Sequence, residues 1–144
     1  MADFLTPAQR SERMSRIRGS NTRPELALRR ELHRAGLRFR LHPVHMPGKP
    51  DIVLARHRAV VLVHGCFWHR HHGCPIATTP KSNTEYWQAK FARNVARDSE
   101  VAQQLLAAGW RVFVAWECEL SSGTKAREAA ARLATAIRGS PQSI

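Results

Sequence analysis

Apolar residues are spaced along the chain in two alternating rhythms. After Thr22, Leu28, Leu32 and Ala35 recur at helical intervals, and Gly36 follows where a left-handed stop is common. Thr22-Arg-Pro-Glu25 has capping-box form with proline in the first turn, so a helix is predicted from this point. Phe39 and Leu41 then alternate with Arg38, Arg40 and His42, a half-buried strand pattern. Three prolines and a glycine between Pro43 and Pro50 require a loop. The runs Ile52–Ala55 and Ala59–Val63 are rich in β-branched residues and separated by a short turn, which predicts a hairpin.

Residues 64–82 have no period. Ser82-Asn-Thr-Glu85 is a second capping-box pattern, followed by Trp87, Phe91, Val95, Ala102 and Leu105 as the expected face of a long helix ending at Gly109. Trp110–Trp116 reads as a strand and 124–138, rich in Ala and Arg, as a final helix. The order α-β-β-β-(loop)-α-β-α predicts one α/β domain, a mixed sheet sandwiched by helices. The expected organisation is a basic arm at 1–21, a folded domain at 22–138 and a tail at 139–144.

Charge narrows the partner. The 144 residues hold 23 Lys and Arg against 11 Asp and Glu, a formal +12. Such a field favours polyanions, because each neutralised phosphate releases counterions. A basic helix with a bulky apolar face is missing, which favours nucleic acid over lipid. No apolar run approaches the ~20 residues of a membrane span, and the first residues lack a signal-peptide core. No membrane role is expected, and the protein is expected to be cytoplasmic, nucleoid-associated through DNA. The arm at 1–21 carries Arg10, Arg13, Arg16 and Arg18, with Met14 and Ile17 as isolated apolar points. It reads equally as a DNA-ordered arm or a plain tail.

Cys66-Phe-Trp-His-Arg-His71-His72-Gly-Cys74 gathers metal-ligand types within nine residues, and Cys118 follows the last strand. Cys₃His is a closed tetrahedral zinc set, structural because four protein ligands leave no open position. The competing reading is three buried cysteines beside a solvated His run, but a Pro-rich loop offers them no core. Spacing does not choose between His71 and His72; His71 is preferred.

Gly48-Lys-Pro-Asp51 places a carboxylate at the mouth of a strand, a fitting first ligand for Mg²⁺. His64 closes the paired strand and His69 follows outside the zinc set; an imidazole can take a proton from attacking water. Each signal has a plainer alternative. Asp51 could be a turn residue, and His64 or His69 could be outer partners of the zinc. On the residues alone a nuclease and a DNA-binding module both stay open.

The segment Val63-His-Gly-Cys-Phe-Trp-His69 with the following His/Cys run resembles the very short patch repair endonucleases, which act at T·G mismatches. Pro50-Asp51-Ile-Val, Glu85-Tyr-Trp87, Lys90–Asp98, Gly109-Trp-Arg-Val and Trp116-Glu-Cys118 extend the likeness over most of residues 10–120. The resemblance implies a restriction-endonuclease-like core (α-β-β-β-α-β) and a nick 5′ to the mismatched T that starts repair of deaminated 5-methylcytosine. It implies catalytic Mg²⁺ on Asp51 and the Val63 main-chain oxygen, His69 as general base, His64 at the phosphate and Glu25 in support. Val63 stands where the family usually has Thr. Structural Zn²⁺ is carried to Cys66, His71, Cys74 and Cys118, in a loop one residue longer than the best-known form. Phe67, Trp68 and Trp87 match aromatic wedges, while the arm reaches the minor groove. Two adjacent exposed aromatics on a polar loop would themselves call for a partner. A monomer is expected, with mismatch-repair proteins as candidate partners. The rivals are a non-catalytic zinc-stabilised mismatch-binding module and a general restriction-like nuclease.

Overall fold

The computed structural model describes residues 21–139; the basic arm with Arg13, Met14, Arg16, Ile17 and Arg18, and most of the tail, lie outside them. Helix α1 (Arg23–Arg34) is followed by β1 (Arg40–Leu41), β2 (Ile52–Leu54), β3 (Ala59–His64), α2 (Thr84–Ala107), β4 (Arg111–Trp116) and α3 (Gly123–Arg138). The expected order is observed. Sheet order is β1-β2-β3-β4, antiparallel at the first two pairings and parallel between β3 and β4. That last pairing requires a crossover, which α2 supplies.

Period-2 alternation divides the core between the two faces of the sheet. Ile52, Leu54, Ala59, Val61 and Ala115 pack with Leu28 and Leu32 of α1 and with Ala130, Leu133 and Ile137 of α3. Val53 and Val60 face the other way, onto Leu105, Val101 and Trp110. Helices therefore cover both faces, and β3, in the middle, is buried almost throughout. Each fully buried Leu or Ile contributes about 1.5–3 kcal/mol relative to exposure.

Several local expectations shift. The Thr22 hydroxyl caps Glu25 N–H as predicted, but the Glu25 side chain accepts from Asn21 N–H instead of closing the box on Thr22. Gly36 takes the left-handed stop, φ 94°, while Ala35 is exposed and Leu37 supplies the buried contact. The strand at Phe39–Leu41 shrinks to two residues at the sheet edge with Leu41 exposed, because His42 turns into the left-handed region, φ 47°. The second capping box is not made. Asn83 is the N-cap of α2, with φ 54° and no side-chain cap bond.

The buried face of α2 also differs from the expected one. Val95 is 46% exposed, while the inward stripe passes through Phe91, Asn94, Asp98, Val101 and Leu105. Steps of four residues overshoot a 3.6-residue turn, so 87-91-95 drifts off the face that 91-94-98-101-105 follows. Two positions of this stripe are polar, and both face the cleft described next. Among the described residues no helix is long and apolar enough to cross a membrane.

Candidate active site

The turn before β2 fixes Asp51. Gly48 has φ 70°, and a Cβ there would sit 2.5 Å from Val101 Cγ1, so only glycine fits beneath α2. Asp51 then meets the end of β3, where the Val63 N–H donates to Asp51 Oδ2 at 2.7 Å. The resemblance implies a role for the Val63 carbonyl; the contact to Asp51 in the fold is made by the Val63 N–H. Burial raises the Asp51 carboxyl to about 6, only partly offset by the Val63 bond, with Glu25 pushing the same way.

His64 and His69 stack, ring centroids 4.0 Å apart and planes 4° from parallel. Burial lowers His64 to about 4, with His69 adding to the shift, so His64 is neutral at pH 7. His69 Nδ1 lies 2.7 Å from Asp98 Oδ2 on α2. The sequence reading did not assign Asp98 a role, although a carboxylate within the inward stripe of an amphipathic helix was a usable signal. Asn94, four residues earlier, donates to the Trp68 carbonyl at 3.3 Å and ties α2 to the loop.

Glu25 is buried at 2% exposure. His42 Nε2 lies 2.7 Å from Glu25 Oε2 and 3.8 Å from Asp51 Oδ1. Glu25, Asp51, His64, His69 and Asp98 all line one open cleft of about 960 Å³.

The Cys/His loop closes a second cluster. Cys66, His71, Cys74 and Cys118 bring one ligating atom each within 4.8 Å of the others. His71 Nδ1 lies 3.6 Å from Cys66 Sγ and 3.5 Å from Cys118 Sγ, whereas His72 is exposed. The Cys118 N–H points at Cys66 Sγ, 3.4 Å away, as backbone amides do toward thiolates. Burial pushes the Cys66 thiol up to about 12, so a thiolate there calls for a cation. The donor set fits a metal ion. Arg70, not singled out from the sequence, holds the rest of the loop by donating to the carbonyls of Phe67, Ala77 and Thr78.

Trp116 stands between the clusters, stacked on His71 at 4.1 Å and edge-on to His64 at 5.2 Å.

The aromatic residues are not free-standing, contrary to expectation. Phe67 and Trp68 are half-buried. Phe67 packs edge-on against Trp68, Trp87 and Phe91. The loop is anchored by Arg70 over the Phe91 ring, 4.0 Å from its centroid, which brings these aromatics against α2. Phe67 and Trp68 nevertheless line the rim of the same cleft.

Comparison with known proteins joins this geometry to a lineage. The family model for DNA mismatch endonuclease Vsr matches residues 2–75. The DNA mismatch endonuclease Vsr of Escherichia coli is 41% identical over 125 residues, 87% of this chain and 80% of that protein. The chain belongs to the Vsr family. Its relatives also include the type II nicking enzyme V.XorIIP of Xanthomonas oryzae, 52% identical over 121 residues (84% of this chain, 88% of the relative). V.NmeAIP of Neisseria meningitidis is 40% identical over 138 residues, 96% of this chain and 98% of its own. Vsr membership makes the protein a DNA endonuclease acting at a mismatch or a specific site, with DNA as its partner and a divalent metal implied.

Proposed function

We propose that this protein nicks duplex DNA 5′ to the T of a T·G mismatch and so starts short-patch repair of deaminated 5-methylcytosine. The observation that carries the reading is the convergence of Asp51, His64, His69, Asp98 and Glu25 in one cleft rimmed by Phe67 and Trp68. The α-β-β-β-α-β order supports a restriction-endonuclease-like core in residues 22–138, with the arm at 1–21 laid along the DNA.

In this reading Asp51 and the Val63 carbonyl hold Mg²⁺, supported by Glu25. When bound, the ion supplies charge stabilisation at the phosphate. Water is the nucleophile. With its Nδ1–H donated to the Asp98 carboxylate, His69 keeps Nε2 as an acceptor for the proton of the attacking water. Neutral His64, stacked on His69, offers an N–H to the phosphate without placing a second positive charge beside it. Zn²⁺ at Cys66, His71, Cys74 and Cys118 is structural and fastens the loop to the last strand. Phe67, Trp68 and Trp87 act as an aromatic platform whose rim wedges beside the weak pair, where unstacking costs least. The arm residues Arg13, Arg16 and Arg18 contact phosphates, and Met14 and Ile17 reach the minor groove.

Two relatives are named as type II nicking enzymes, with no mismatch in the name, so site-specific nicking of matched duplex is the second reading. Nicking of matched and T·G-containing duplexes of the same sequence, with and without Mg²⁺, separates them. Mg²⁺-dependent cutting of the T strand at T·G alone is expected; equal cutting of the matched duplex would exclude the mismatch reading.

A further inference from the structure

His42 has no part in the proton transfer described above, yet it sits against the two carboxylates next to that chemistry. Each carboxylate commits one oxygen to a backbone N–H. Glu25 Oε1 accepts from Asn21 at 3.2 Å, and Asp51 Oδ2 accepts from Val63 at 2.7 Å. Their other oxygens, Glu25 Oε2 and Asp51 Oδ1, lie 2.7 and 3.8 Å from His42 Nε2. Glu25 Oε2 and His42 Nε2 are both buried, and among the described residues neither has a hydrogen-bond partner, although the two form a close ion-pair contact when the imidazole is protonated. Arg29 Nη1 forms a longer ion pair with the same Glu25 Oε2, at 3.5 Å, outside the Glu25–His42–Asp51 cluster.

Buried polar atoms left in this state are costly unless something else satisfies them. A dication shared by all three would do so. Around an ion with bonds of ~2.1 Å, neighbouring octahedral ligands are about 3 Å apart and opposite ones about 4.2 Å, a range that the observed separations approach. The backbone holds the imidazole in place. His42 has φ 47°, and its N–H is tied to the Pro50 carbonyl at 3.1 Å, one residue from Asp51.

We propose that Glu25, His42 and Asp51 form a mixed carboxylate–imidazole site that binds Mn²⁺ in preference to Mg²⁺. The inference rests on the reading of Asp51 as a metal ligand and deepens it. Carboxylates suit both Mg²⁺ and Mn²⁺, but Mg²⁺ keeps to oxygen ligands, so an added imidazole nitrogen tips the site toward Mn²⁺, the first-row transition ion that shares the carboxylate preference.

The test is metal binding by the zinc-loaded full chain without DNA. Free Mn²⁺ is counted by electron paramagnetic resonance, and Mg²⁺ is measured by competition. Wild-type protein binds Mn²⁺ more tightly than Mg²⁺ and shows nitrogen modulation on the Mn²⁺ signal. His42→Asn, chosen because Asn tolerates the left-handed backbone, loses at least about tenfold in Mn²⁺ affinity, keeps its Mg²⁺ affinity and loses the nitrogen modulation. His42→Gln, with an oxygen in place of the nitrogen, likewise loses the preference. Asp51→Asn weakens both ions. Undiminished binding in Asp51→Asn would overturn the underlying reading of Asp51. Loss in Asp51→Asn with unchanged Mn²⁺ binding and modulation in both His42 variants would overturn the His42 assignment alone. So would a wild-type protein with no preference for Mn²⁺.

Discussion

His69 and Asp98, 29 residues apart in the chain, are joined by a 2.7 Å contact that engages Nδ1 of the imidazole. The carboxylate accepts from Nδ1–H, which leaves Nε2 as the acceptor. Asp98→Asn can offer its amide N–H instead and so favour the wrong tautomer. Its nicking rate under single-turnover conditions is expected to fall at least about tenfold, less than the ~100-fold or more for removing a general base outright. T·G binding stays unchanged. An unchanged rate would make the pair a structural tie between loop and helix.

The Cys/His cluster is expected to act on stability before it acts on rate. Cys118→Ser removes one ligand and uncouples the loop from the segment after β4. Because site formation is part of folding, the variant is expected to carry less than one zinc per chain and to melt well below wild type. Metal analysis and calorimetry on one sample check this. Stoichiometric zinc with unchanged melting would contradict the four-ligand assignment.

Trp68→Ala is expected to reduce discrimination of T·G from T·A more than it reduces salt-sensitive binding to any duplex. Aromatic wedges read deformability, whereas arginines read phosphate. Phe67→Ala is a poorer probe, because Phe67 touches Trp68, Trp87 and Phe91 and its loss also loosens the platform. Equal losses on matched and mismatched DNA would assign Trp68 to packing.

Asp51 predicts a pH dependence of stability. Its carboxyl titrates near 6 in the fold against 3.8 as a free group, so the folded chain holds the proton more firmly. The stabilisation from the protonated form is complete below the unfolded value and is lost as pH rises through about 6. Without added divalent cation, Asp51→Asn is therefore expected to stabilise the zinc-loaded protein by roughly 2–3 kcal/mol at pH 8, falling to about half that at pH 5. Thermal melts at the two pH values measure it. An equal gain at both would show that hydration or packing, not charge, is responsible.

What the sequence made legible follows from the range of the interactions involved. Helix α1, the β2–β3 hairpin and α3 are announced by local signals: Thr22 at the N-cap of α1, the Ala- and Arg-rich composition of α3 and the β-branched runs of the hairpin. The Cys/His loop was legible because ligand chemistry is rare and its spacing compact. Asp98, Asn94 and Arg70 were not, since their partners depend on how α2 docks over the loop. In the strand pattern His42 is only one polar step, and its left-handed turn is what brings it to Glu25 and Asp51. The capping box at Ser82 failed because Asn83 itself entered the left-handed region and became the cap.

The most direct test of the cleft as the catalytic centre is single-turnover nicking by Asp51→Ala and His69→Ala on a T·G duplex, with binding measured in parallel. Both variants are expected to bind T·G DNA nearly as wild type does, because recognition rests on the aromatic rim and backbone contacts. Asp51→Ala is expected to cut at no detectable rate, and His69→Ala to lose at least ~100-fold. Wild-type nicking by both variants would contradict the account, leaving Asp51 a turn residue and His69 a neighbour of the zinc loop.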